Sequence, residues 1–278
     1  MPELPEVETV CKGLNKLIVG KQIKNVSILW NKTVSIDNMK FKDSLINTKI
    51  IDIKRRGKYL LFHLNNGLTM ISHLRMEGHY QLSLNNKEPL IKHTCVVFAF
   101  NDGQELRYID SRKFGRMDIV ETNKEMEFKG LSKLGPEPFD KDFNFENFKK
   151  ALYHHHKFIK TALLGQTLVA GLGNIYTDEV LWMSKINPLQ LTNTLTDNEI
   201  NILHDNIIKE LKLAIDKGGT TIRSFIGADG KQGDFQNYLH VYGKSGNKCE
   251  WCGTTIVKIK VGQRGTSFCP NCQKLRNN

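Results

Sequence analysis

CEWCGTTIVKIKVGQRGTSFCPNC, residues 249–272, is the stretch of this chain that says most about how it folds. Cys249 and Cys252 form one Cys-x-x-Cys turn and Cys269 and Cys272 another, with sixteen residues between the pairs. Each such turn places two thiolates on one side of the backbone, and two turns together complete a tetrahedral four-thiolate zinc site. The residues between them read as an alternating strand, a glycine-containing turn and a second strand, so the pattern is a zinc-ribbon hairpin. The competing reading, a pair of redox motifs, lacks the βαβ surroundings those motifs need. All four ligands come from the protein, no position is left for water, and the zinc is expected to be structural rather than catalytic. From 240 to 278 seven Lys and Arg residues, Arg264 among them, face a single carboxylate, Glu250. That charge suits a phosphate backbone.

Upstream of this module, residues 218–240 are rich in Gly, Thr, Ser and Asp and have little periodicity, which predicts a long loop; loops of that length in compact domains are often functional. Before it, Thr196 and Glu199 form a capping box. Ile200, Leu203, Ile207, Leu211 and Ile215 then make one helical stripe that Gly218-Gly219 ends. The pattern is helical from about 130. From about 22 to 120 it is instead a series of short β-type runs, with Asn66-Gly67 and Asp102-Gly103 as hairpin turns. Residues 2–19 form an apolar helical stripe with Pro2 and Pro5 in the first turns, where a missing N–H costs little, and Gly20 as the stop. The expected class is α+β. An N-terminal helix with a β-sandwich or barrel spans 1–125, a helical domain spans 130–240, and the zinc ribbon spans 241–278.

The 278 residues suffice for two domains with real cores. Lys and Arg number 40 against 29 Asp and Glu, a net charge of +11 that suits a polyanion. No apolar run approaches the ~20 residues of a membrane span, and the acidic MPELPEVE start is unlike a signal peptide. A cytoplasmic protein is expected, with no membrane partner and cysteines that bind metal rather than form disulfides.

Met1 precedes a small residue and is expected to be removed, which leaves Pro2 as a free secondary amine followed by Glu3. An α-amine titrates near ~7.7–8.0 against ~10.4 for lysine, so far more of it is neutral and nucleophilic at pH 7. On an aldehyde-level carbon a secondary amine gives an iminium, an electron sink for elimination, and Glu3 is placed to move protons.

PELPEVE at 2–8 resembles the opening of the formamidopyrimidine-DNA glycosylases, which excise 8-oxoguanine. RRGKYL (55–60), SHLRMEG (72–78), DSRKFGR (110–116), LSKLGPEP (131–138), AGLGNIYTDE (170–179), GGTTIRSF (218–225), HVYG (240–243) and the terminal cysteines follow in that family's order and cover essentially the whole chain. The resemblance implies a β-sandwich, a helix-two-turn-helix domain and one structural Zn²⁺, with no catalytic cofactor. It also implies a monomer acting on double-stranded DNA that carries oxidised bases or abasic sites. Pro2 would attack the sugar C1′, Glu3 would assist ring opening, and Lys58 would contact phosphate beside the lesion. Met76, Arg112 and Phe114 would fill the gap and meet the orphaned base once the lesion is flipped out. His73, Asn174, Tyr242 and Arg264 would contact phosphates. Backbone groups of Thr220, Thr221, Ile222, Arg223, Ser224 and Phe225 would hold the everted base.

Taken alone, Met76 and Phe114 read as ordinary core, and Lys58 as a lysine at a strand end on the surface. Gly165 stands where the family usually has Asp, and a glycine inside a helix costs roughly 1 kcal/mol. His154-His155-His156 reads as a solvated basic stretch. Two other readings compete. Endonuclease VIII-like enzymes act on oxidised pyrimidines but usually open Pro-Glu-Gly-Pro-Glu, whereas this chain has Leu4. A non-catalytic zinc-ribbon protein that binds damaged DNA would need neither Pro2-Glu3 nor Lys58.

Overall fold

The computed structural model describes residues 1–85, 87–220 and 233–276, and its contacts divide the chain into two units. The first contains Met1–Ser132 with Lys217–Gln236, the second Lys133–Asp216 with Asn237–Asn278. Two boundaries therefore differ from the sequence expectation: the segment after 217 groups with the β-rich unit, and the cysteine-rich tail groups with the helices.

In the first unit, α1 (Leu4–Ile18) starts with Glu3 at its N-cap and Pro5 in its first turn. Leu4, Val7, Val10, Leu14 and Ile18 are buried to within 1 %, the spacing that puts one helical face into a core. The strands are β1 (Ile23–Ile28), β2 (Ile50–Arg56), β3 (Tyr59–Leu64), β4 (Leu68–His73), β5 (His79–Ser83), β6 (Thr94–Phe100), β7 (Glu105–Ile109) and β8 (Arg116–Glu121), with a short helix α2 (Asn38–Leu45) between the first two. They form two antiparallel four-stranded sheets, β1-β6-β7-β5 and β2-β3-β4-β8. Val26, Val96, Phe98 and Tyr108 of one sheet share a core with Leu60, Phe62 and Met70 of the other, the arrangement of a β-sandwich. Gly67 and Gly103, with φ of 78° and 85°, occupy the two expected hairpin turns, where the backbone takes a conformation glycine adopts freely. The helix Asn38–Leu45 interrupts the stretch read as short strands, and the limits of the strands His79–Ser83 and Arg116–Glu121 are not marked in the sequence. Both strands are short and mixed in polarity, and only sheet pairing gives them their place.

The second unit contains α3 (Phe145–Tyr153), α4 (Ile159–Leu164), α5 (Asn174–Met183) and α6 (Asp197–Asp216), followed by the hairpin β9 (Val257–Val261) and β10 (Arg264–Phe268). Thr196 and Glu199 make the capping box at the start of α6: the Thr196 N–H reaches Glu199 Oε2 at 2.8 Å and the Glu199 N–H reaches Thr196 Oγ1 at 3.3 Å. Ile200, Leu203, Ile207 and Leu211 are fully buried; Ala214 then replaces the expected Ile215 on the core face, as a 3.6-residue repeat requires. Gly165 is the residue that ends α4 rather than an interior position, so most of the expected propensity cost does not arise. No helix among the described residues is long and apolar enough to cross a membrane.

Thr196→Ala removes an N-cap worth about 1 kcal/mol. Urea unfolding followed by helical circular dichroism should show that loss; an unchanged midpoint would mean the capping box contributes nothing to stability.

Candidate active site and nucleic-acid interface

In the first unit the chain start is held by Glu6. Its Oε2 accepts the Glu3 N–H at 2.8 Å, and its Oε1 accepts the N–H and hydroxyl of Thr220 at 2.7 and 3.0 Å. Glu6 is 2 % exposed. Gly219, with φ of 77°, leaves room for this carboxylate: a Cβ there would come within 2.7 Å of Oε1. Pro2 and Glu3 are both buried while Met1 lies exposed. Of the expected base-holding segment, Thr220 is therefore seen joined to α1; Thr221, Ile222, Arg223, Ser224 and Phe225 lie outside the described residues.

Lys58 occupies, with Gly57, the two-residue connection between β2 and β3. It is 3 % exposed, so the surface-lysine reading is overturned. Its charge contributes to depressing His73, at the end of β4. His73 Nδ1 accepts the Arg75 N–H at 3.0 Å and its ring meets Tyr59 edge-on at 4.5 Å. Burial first, then the charges of Arg75 and Lys58, lower His73 from the usual 6.5 to about 3. With Nδ1 accepting, the neutral ring carries its proton on Nε2 and can donate it. His73 is thus a hydrogen-bond donor and not a cation.

Met76 is half-buried, Arg112 exposed and Phe114 48 % exposed, so the core reading of the two apolar residues fails. The Arg112 guanidinium lies 4.8 Å from the centre of the Phe114 ring. The loop carrying both wraps the fully buried Asp110. That carboxylate accepts N–H groups from Arg112, Phe114 and Gly115 at 3.0, 2.9 and 2.8 Å. The Ser111 hydroxyl donates to Glu77, which ties this loop to the one bearing Met76. Asp110 and Glu6 escaped the sequence reading, though both stand inside motifs that it used.

In the second unit α5 grips the zinc-ribbon segment along one face. Asn174 Nδ2 donates to the Gly265 carbonyl at 2.9 Å, Asp178 accepts the Ser267 N–H at 3.0 Å, and Trp182 Nε1 donates to Cys249 Sγ at 3.5 Å. These residues are four apart, the repeat of one helix face. Glu179, buried like Asp178, accepts the N–H groups of His240, Val241 and Tyr242 at 2.7, 3.0 and 2.7 Å. Asp178 also pairs with the buried Lys160. Asn174 begins α5 directly after the glycines of GLGN, at the end of the helix whose dipole favours an anion. Tyr242 is half-buried, and Arg264 is exposed where β10 leaves its turn. Asn174, Tyr242 and Arg264 thus belong to one α5-and-hairpin assembly.

The cysteine sulfurs all lie within 4.8 Å of one another, Cys249 to Cys272 at 3.9 Å and Cys252 to Cys269 at 3.5 Å. Four sulfurs ~2.3 Å from a tetrahedral zinc are ~3.8 Å apart, so the set fits one zinc ion. No other group of three or more such ligands occurs among the described residues, His154-His155-His156 included.

Three family models match: the formamidopyrimidine-DNA glycosylase N-terminal domain at residues 1–117, the helix-two-turn-helix (H2TH) domain of the same glycosylases at 134–226, and a zinc finger found in FPG and IleRS at 246–275. Proteins named formamidopyrimidine-DNA glycosylase are similar over their full length. That of Ligilactobacillus salivarius is 56 % identical over 277 residues, covering 100 % of both chains, and that of Enterococcus faecalis is 50 % identical, covering 99 % of this chain and 98 % of its own. Among solved structures, a Lactococcus lactis FPG variant with Fapy-dG-containing DNA superposes with a TM-score of 0.93 at 46 % identity, covering 98 % of this chain and 100 % of the other. MutM with DNA containing carbocyclic 8-oxo-G gives 0.92 at 46 % with the same coverage.

Two measurements follow from this geometry. The stability that rests on neutral His73 is complete above pH 6.5 and is lost as the pH falls toward 3, by up to about 1.4 kcal/mol per pH unit. Between pH 7.5 and 5 the native protein should lose more unfolding free energy than His73→Gln; equal losses would refute the depressed titration. Zinc chelation should free the hairpin that the metal folds. Trp182 stacks on Trp251 at 3.9 Å beside Cys249, so tryptophan emission should shift to longer wavelength; unchanged emission would show that the hairpin stands without metal.

Proposed function

The chain belongs to the formamidopyrimidine-DNA glycosylase family, and from that premise we propose that it excises oxidised purines from duplex DNA with Pro2 as nucleophile and then cuts the strand. It is a base-excision-repair enzyme, a DNA glycosylase and abasic-site lyase, with one structural zinc held by Cys249, Cys252, Cys269 and Cys272. The observation that supports Pro2 most is the way the chain start is held. Glu3 caps α1, Glu6 locks that cap to Thr220, and Pro2 sits one residue ahead in buried surroundings.

Once Met1 is removed, the Pro2 nitrogen lone pair forms a bond to C1′ and the C1′–N9 bond breaks, its electrons leaving with the protonated base. Opening of the C1′–O4′ bond, with Glu3 passing a proton to O4′, yields an iminium that needs no further proton to stay cationic. Loss of a C2′ proton then expels the 3′ phosphate, and a second elimination expels the 5′ phosphate. Water finally hydrolyses the iminium and frees the amine. Lys58, buried beside His73, offers an ammonium with little water of its own, suited to a phosphate next to the reacting sugar. His73, Asn174, Tyr242 and Arg264 contact further phosphates. Met76, Phe114 and Arg112 occupy the gap, and Thr220 begins the segment that covers the everted base. Along the sequence these three tasks fall to residues 1–125, 130–240 and 241–278, although the contacts group the chain into two units. The protein works as a monomer in the cytoplasm, on nucleoid DNA.

Borohydride should trap the enzyme on 8-oxoguanine DNA only in protein lacking Met1, with Pro2 as the modified residue. Trapping or full activity with Met1 retained would rule out this mechanism. The guanidinium fork of Arg112 matches the O2 and N3 acceptors of an orphaned cytosine, and adenine has no such pair. Arg112→Ala should therefore reduce the cytosine-over-adenine preference roughly ten- to hundredfold, with less effect on an abasic duplex. Equal slowing on all three duplexes would reduce Arg112 to a backbone contact.

A further inference from the structure

Tyr108 lies on β7, fully buried, with its ring 5.1 Å from that of its cross-strand partner Tyr80. The Tyr80 hydroxyl donates to Ser72 Oγ at 2.7 Å, whereas that of Tyr108 has no hydrogen-bond partner among the described residues. A buried hydroxyl without a partner opposes folding, and phenylalanine would avoid the penalty. What surrounds the oxygen gives the reason to keep it. A Cβ on Gly78 would fall 2.0 Å from it, and a Cβ on Gly115 1.7 Å. The hydroxyl thus occupies the space of two missing side chains. Gly78 closes the turn that bears Met76, its N–H bonded to the Leu74 carbonyl at 3.1 Å. Gly115 closes the Asp110-wrapped loop that bears Arg112 and Phe114. The Ser111–Glu77 bond joins the same two loops only at their exposed rim.

We propose that Tyr108 is a positioning residue for gap filling: its hydroxyl is a spacer between the roots of the two loops and sets the separation at which Met76, Phe114 and Arg112 enter the duplex together. This rests on the reading of those three residues as the gap-filling set. Close packing transmits a change of one atom at the root to the loop ends, because cores relax only partly around a void. Tyr108 touches neither substrate nor the reacting atoms, so its removal acts on eversion and partner reading rather than on the elimination steps.

The test uses full-length, zinc-loaded enzyme carrying Tyr108→Phe, with Met76→Ala and Arg112→Ala alongside. Single-turnover rates are measured for 8-oxoguanine opposite cytosine, 8-oxoguanine opposite adenine and an abasic site. The fluorescence of 2-aminopurine beside the lesion follows unstacking, and thermal melting follows the fold. Tyr108→Phe should melt no lower than the native protein and cleave the abasic duplex at close to the native rate. It should also slow excision opposite cytosine roughly tenfold, narrow the preference over adenine and delay the 2-aminopurine signal. Gly115→Ala, whose methyl meets the hydroxyl, should be slower still, and part of its loss should be recovered in the Tyr108→Phe background. Native excision by Tyr108→Phe would overturn the proposal, as would equal slowing on all three duplexes with a lower melting temperature, which would mark plain core packing. If Met76→Ala and Arg112→Ala themselves leave excision unchanged, the gap-filling reading falls and the spacer role with it.

Discussion

Glu6 holds one carboxylate against the N–H of Glu3, the N–H of Thr220 and the Thr220 hydroxyl. The rest of the proposed active site depends on that clasp, because the nucleophile assigned to this enzyme is a chain end, and chain ends fray unless they are tied down. Two features oppose the fraying. The first turns of α1 are buried, with Leu4 and Val7 inaccessible to solvent. The Glu6 carboxylate then fastens the residue after Pro2 to the start of the segment assigned to the everted base. A carboxylate suits the task, since bonds from neutral N–H groups to an ionised acceptor are worth about 1.5–3 kcal/mol each, more than neutral pairs. The positive end of the helix dipole favours the same charge.

Buried carboxylates grip backbone N–H groups at three further places. Asp110 gathers three N–H groups of the loop that exposes Arg112 and Phe114. Glu179 gathers three from residues 240–242, and Asp178 takes one from β10. Backbone donors have no rotamers to freeze, so a buried carboxylate that gathers backbone N–H groups, as Asp110 and Glu179 do, sets loop geometry at little entropic cost. It also leaves the loop's side chains free to face outward, which is how a phenylalanine and an arginine come to stand in solvent above a rigid turn.

Much of this was legible in the chain itself. The cysteine spacing specified the zinc ribbon, and the Asn-Gly and Asp-Gly dipeptides marked two hairpins. Thr196 and Glu199 marked the start of α6, each through a local rule that needs no distant partner. The limits of the strands His79–Ser83 and Arg116–Glu121 were not legible, because their mixed sequences become strands only by pairing with β7 and β4. Glu6, Asp110 and Glu179 were equally silent as carboxylates that grip backbone, since an acidic residue in a motif looks the same whether it faces water or three amides.

By itself the sequence determined the order of the elements, the metal ligands and the membership of a family, because these follow from spacing and from residue types fixed along the chain. Only the tertiary structure decided which side chains are buried and which are bare. Lys58 is sunk in the protein and Phe114 stands exposed, each against its own hydropathy. Gly165 proved to be a helix end rather than a weak point within one. Burial is set by what packs from distant parts of the chain, so no local pattern encodes it. Lys58 and Phe114 both belong to the set proposed to meet DNA, a partner that would cover Phe114 and pair with the Lys58 ammonium.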